Sequence, residues 1–180
     1  PSASTWGWSA FAGVVGALGI AGLYHGFAHG EISVVAPTSA VVGAVVPVVV
    51  GLVTGERPSA LALVGIVIAV TAVALVSGAI GTHQHNTPRR IVVLAVGVGA
   101  CFGLLFVALD RADAASGVWP LVIARLASVP LLFAIAGASG ARPARHRASL
   151  QLAVVAGVFD MGANVLYLAA VRGGMLAIVS

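Results

Sequence analysis

The sequence contains no lysine; all nine of its basic residues are arginine. It has only five acidic residues, and charged side chains make up 8% of the chain. A soluble domain carries nearer a quarter, so an ordinary globular fold is excluded. One cysteine, Cys101, sits in an apolar run, which excludes an intrachain disulfide. There is no HExxH, no GxSxG, no pair of intramembrane aspartates and no cysteine–histidine cluster. An intramembrane enzyme is therefore not expected, and nothing calls for a cofactor. The first apolar segment has no basic leader and runs on into further apolar segments, so it reads as a span rather than a signal peptide.

What the chain does have is apolar surface. Hydrophobic residues make up 60% of it, and the mean hydropathy is +1.11. The expected class is all-α, a polytopic membrane helical bundle in which the lipid bilayer is the first partner. In such a chain the formal charge of +4 reports topology and lipid headgroups rather than nucleic acid.

The apolar runs predict six full spans, at about 7–28, 32–53, 59–80, 91–109, 119–138 and 149–171. A truncated seventh is expected at 175–180, after a turn at Arg172-Gly173-Gly174. The first span carries Gly13, Gly16, Gly19, Gly22 and Gly26 at spacings that let another helix approach closely, and the fourth carries the Gly99/Gly103 pair. Trp6 and Trp8 suit the interface at the start of the first span. Pro37, Pro47 and Pro130 read as kinks. Loop arginines divide as Arg89, Arg90, Arg142, Arg145 and Arg147 against Arg57, Arg111 and Arg172, a small bias that points the first set to the cytoplasm.

The segment 149–171 holds the best candidate site. A bilayer core needs roughly twenty apolar residues, yet Asp160 lies near the middle of this one. Asn164 and Tyr167 follow at i+4 and i+7, on the same helical face. An unpaired charge at that depth costs on the order of 2.5–3.5 kcal/mol on insertion scales. A partner, water or a proton must offset it. Two readings stand for this face: a cavity lining with Asp160 as proton or cation acceptor, or a polar patch that joins helices.

Other candidates surround it. Arg125, a third of the way into the fifth span, could snorkel to the interface, pair with Asp160, or hold an anionic substrate group. Pairing would make neutralising either residue alone worse than neutralising both. Tyr24 and His25 could line the same cavity opposite Tyr167, or simply pack. His25 and His29 have the i, i+4 spacing of two metal ligands, but no cysteine or carboxylate set completes a site, so no metal is expected. Glu56, after Gly55, reads as a carboxylate at the helix start ahead of Pro58.

A single offset lays Gly19, Leu23, Tyr24 and Gly30 on Gly162, Leu166, Tyr167 and Gly173. An odd number of crossings separates the two segments, as in an inverted-topology repeat with a substrate site at mid-depth. The chain opens on Pro1 and stops at Ser180, a fragment on this reading. Partners of 91–148 would precede it and partners of 36–80 would follow, giving ten spans in all.

The run from Leu23-Tyr24 through Ala36-Pro37, Val46-Pro47 and Gly55-Glu56-Arg57 into Leu63-Val64-Gly65 resembles the closing part of an EamA domain. Such domains occur in permeases of the drug/metabolite transporter superfamily. Residues 91–180 resemble the opening of a second such domain, with Trp119-Pro120 and Arg125 where the family often places a proline and an arginine. Pro47 with Gly55 and Glu56 is the most specific part. The resemblance implies a first repeat ending at 1–81, a connecting loop at 82–90 and a second repeat beginning at 91–180. It implies a secondary transporter of a small metabolite or drug-like compound, working by alternating access. The position of Asp160 adds a coupling proton to that expectation, and the Ala/Val/Gly/Arg bias without lysine adds a bacterial plasma membrane. A second copy of the chain is a further candidate partner. The competing expectation is an accessory or scaffolding subunit that associates through its glycine faces.

Overall fold

The computed structural model describes residues 2–29, 32–55, 60–76, 88–112, 114–140 and 147–179. All regular structure there is helical: α1 (Ala3–His29), α2 (Ile32–Val53), α3 (Ala60–Val76), α4 (Arg89–Arg111), a 3-10 turn (Ala114–Ser116), α5 (Trp119–Ala138) and α6 (Arg147–Val179). Among the described residues five helices are long and apolar enough to cross a membrane: α1, α2, α4, α5 and, over Arg147–Tyr167, α6. The chain is a multi-pass, all-helical membrane protein.

The third span, expected at 59–80, is described as α3 over Ala60–Val76; 59 and 77–80 lie outside the described residues. One expectation about the spans is corrected. The seventh span and its turn are absent, because α6 runs unbroken for 33 residues through Arg172, Gly173 and Gly174. Glycine permits a turn without compelling one. Helix continuation satisfies every backbone donor internally, which outweighs the ~1 kcal/mol propensity cost of each glycine. At 1.5 Å per residue α6 is about 50 Å long, more than a ~30 Å hydrocarbon core. The expected stub is therefore the end of α6. The fourth helix, expected at 91–109, begins two residues early, at Arg89, and runs through Asp110 and Arg111.

The chain forms two compact units, one of residues 14–107 and one of residues 1–13 with 108–180. In the first, α1 meets α4 along its glycines. A Cβ at Gly19 would lie 3.1 Å from the Phe102 ring and 3.3 Å from Cys101 Cβ; one at Gly22 would lie 2.8 Å from Val98. Gly16 faces Leu105, and Gly26 faces Val35 and Leu94. Numbers rise on α1 as they fall on α4, so the two helices are antiparallel. On α4, Gly99 and Gly103 receive α2, which runs parallel to it: Gly99 meets Ser39 and Val42, and Gly103 meets Val46. Pro47 removes the helical donor of the Gly43 carbonyl. That oxygen lies beside Gly103, 3.2 Å from where its Cβ would stand. Val35, Ile91 and Ala95 are buried at the foot of this unit, with Leu23 and Phe27 packed on them.

α2 ends as its sequence directs. Thr54 N–H donates to the Val50 carbonyl at 2.9 Å, Gly55 N–H to Leu52 at 3.2 Å, and Gly55 takes φ +90°. This left-handed position suits glycine and closes the helix. Glu56, Arg57 and Pro58, with the loop 81–87, lie outside the described residues.

In the second unit the start of α1 runs parallel to α5. Ser2 caps α1, its Oγ accepting from Thr5 N–H at 3.2 Å. Thr5 in turn shares a buried 3.2 Å hydrogen bond with Ser116, and two turns on the Gly13 backbone presses against Ala124. Gly117 (φ +56°) turns the chain into α5, where Pro120 occupies the first turn. Gly140 (φ +68°) follows its end. None of the first 21 residues of α6 is buried. Val154, Val158 and Phe159 stand exposed.

Candidate functional site

The central observation joins α5 and α6. The Arg125 guanidinium donates through Nη2 to Asp160 Oδ2 in an ion pair. Arg125 is six residues into α5, about 9 Å along its axis, and its long side chain covers the remaining depth. Asp160 is thirteen residues into α6, near the middle of the stretch that crosses the bilayer. Of the three roles open to Arg125, pairing is the one seen in this structure.

Asn164 completes the cluster from one turn below. Its Nδ2 donates to the Asp160 carbonyl oxygen at 2.8 Å and reaches Asp160 Oδ1 at 3.5 Å. The predicted i, i+4 face thus holds for this pair. Tyr167, at i+7, is half-buried and lies within electrostatic range of Asp110 at the end of α4. Met161, Asn164 and Tyr167 are the part-covered stripe of α6, at helical spacing, while the residues between them are exposed. Arg125 and Asp160 keep 36% and 51% of their side-chain surface open. The pair is therefore reachable from outside the chain.

Tyr24 and His25 belong to the other compact unit. Tyr24 is 68% exposed, its ring edge-on to Phe27. His25 stacks on His29 with ring centroids 4.3 Å apart, and His29 Nδ1 donates to the His25 carbonyl at 3.0 Å. The two histidines thus engage each other. Among the described residues no group of three His, Cys, Asp or Glu could hold a metal ion. Pro47 lies inside α2 and Gly55 at its end, both structural positions.

Sequence reasoning overlooked the buried hydroxyls. Thr5 and Ser9 are fully buried and Ser116 nearly so. Ser2, Thr5 and Ser9 recur at spacings of three and four in the sequence, a polar stripe at the start of an apolar helix. That pattern was the available signal. Among the described residues Ser9 Oγ has no hydrogen-bond partner.

No family model matches the chain, and no curated protein or solved structure is similar to it. What the geometry defines is a class: a helical membrane protein with a charged pair, backed by an amide, at mid-depth between two spans.

Proposed function

We propose that this chain is an EamA-like permease of the drug/metabolite transporter superfamily, part of a ten-helix inverted-repeat carrier in a bacterial inner membrane. It moves a small metabolite or drug-like compound by alternating access, with Asp160 carrying the coupling proton. The observation that carries this reading is the Arg125–Asp160–Asn164 cluster. An ion pair is an expensive way to join two helices at bilayer mid-depth: interhelical hydrogen bonds contribute only about 0.6–2 kcal/mol, and amides supply them without charge. Ionisable residues inside spans typically mark substrate or proton pathways. Here both side chains of the pair are also partly open.

The scaffolding alternative draws less support. The glycines that such a subunit would offer to partners are occupied within the chain, those of α1 from Gly16 to Gly26 by α4 and Val35, and Gly99 with Gly103 by α2.

The test is flux. The full-length protein, reconstituted into liposomes and offered a labelled metabolite mixture, should accumulate at least one component faster than empty liposomes. Equal uptake across the mixture in either direction would remove the transporter reading and leave the accessory subunit.

A further inference from the structure

The chemistry of the pair narrows the substrate class. Arg125 cannot be deprotonated in a protein, so its charge persists through any cycle. Asp160 is the member that can become neutral. Once it takes a proton, Arg125 is left without a counter-ion in a medium where an unpaired charge is strongly disfavoured. Something anionic must replace it. The guanidinium fork matches a carboxylate in two parallel hydrogen bonds.

We infer that the Arg125–Asp160 pair is an anion–proton co-binding site, at which a small monocarboxylate replaces Asp160 as counter-ion of Arg125 while Asp160 takes up one proton. This rests on the transporter reading of the same pair. Charge balances throughout. The resting pair sums to zero, and so does arginine, neutral aspartic acid and a monoanion together. A cationic substrate at Asp160 would instead stand beside Arg125 and be repelled. A neutral one would have no reason to part the pair.

The surroundings fit this co-binding. Asn164 Nδ2 already bonds the Asp160 carbonyl and reaches its carboxylate. Turning that amide over presents an oxygen that can accept the O–H of neutral Asp160. The open third of Arg125 gives a carboxylate a way in. Exposed Phe159 precedes Asp160, and exposed Leu126 follows Arg125, so the organic part of the ligand meets apolar surface. The other groups to reckon with are Tyr167, two turns along α6, and Asp110 of α4, which acts on Tyr167.

The experiment is calorimetric titration of the full-length protein with benzoate, benzylamine and phenylalanine, between about pH 5.5 and pH 7.5, where benzoate stays ionised and no unpaired carboxyl group changes charge appreciably. Buffers of different ionisation enthalpy count the protons. Benzoate should bind with one proton taken up per anion, its affinity falling about tenfold per pH unit as pH rises. Asp160→Asn should bind benzoate with no proton uptake and no pH dependence. Arg125→Gln should lose binding, and Arg125→Lys, which keeps the charge without the fork, should weaken it. No benzoate binding by the wild type, tighter binding of benzylamine, or binding of benzoate or phenylalanine without protons would overturn the inference. Liposome flux separates the two readings. Transport of another solute without benzoate-linked protons leaves the carrier and removes the co-binding; linked binding without flux does the reverse.

Discussion

Gly99 offers a severe test of the packing. A methyl group added there would stand 2.6 Å from the Ser39 carbonyl oxygen and 2.6 Å from Val42 Cβ. Both atoms belong to α2 and neither is the far end of a flexible side chain. Carbon atoms pack best at roughly 3.5–4.0 Å, so the two helices must separate by about 1 Å. Overpacking of this kind typically costs 1–3 kcal/mol. Against it stands a gain of up to about 1 kcal/mol from replacing glycine by alanine in a helix. Gly97 provides the control. It lies on the same helix, and a methyl group there meets nothing within 4 Å, so Gly97→Ala keeps the propensity gain alone. The two variants should therefore differ by about 1–3 kcal/mol, Gly99→Ala being the less stable. Unfolding in mixed micelles by a denaturing detergent measures this directly. Equal stability of the two would refute the contact between α2 and α4.

Other outcomes follow from the same geometry. In a double-mutant cycle Arg125→Gln and Asp160→Asn should each destabilise by about 2 kcal/mol, below the 3–5 kcal/mol of a fully buried pair because both side chains are partly open, and the double variant should cost less than their sum; additive losses would deny the pair. Ser9→Ala removes a buried hydroxyl that has no partner among the described residues, so thermal unfolding should occur at the same or higher temperature, whereas Thr5→Val, which orphans Ser116, should lower stability by about 1–3 kcal/mol. Gly55→Ala places a side chain at φ +90° and should loosen the end of α2 by about 1–2 kcal/mol; amide exchange at Thr54 and Gly55 reads it.

The most readable part of this fold in the sequence was small residues at helical spacing. Gly16, Gly19, Gly22 and Gly26 form one stripe, and close approach of another helix is what such a stripe allows. On α4 the spacing singled out Gly99 and Gly103, which meet α2, and passed over Gly97, which is open. It did not say which helix would meet the pair, because that is set by tertiary contacts. The Asp160–Asn164 face was legible from its period, whereas the choice of Arg125 as partner was not. That choice depends on how far a long side chain reaches between two helices, and snorkelling was equally compatible with its position. The turn expected at Arg172-Gly173-Gly174 failed for a related reason: a glycine pair lowers the barrier to a break but supplies no force for one. The Thr5–Ser116 bond joins positions distant in sequence, and only the parallel register of α1 and α5 brings them together.

The measurement that bears most directly on the account is uptake by wild type and Asp160→Asn, reconstituted in parallel and driven by an imposed pH gradient. The account predicts gradient-driven accumulation by the wild type and none by Asp160→Asn, with protein recovery and helicity unchanged. Undiminished gradient-driven uptake by Asp160→Asn would contradict it, and Asp160 would then be a helix-joining residue with no part in transport.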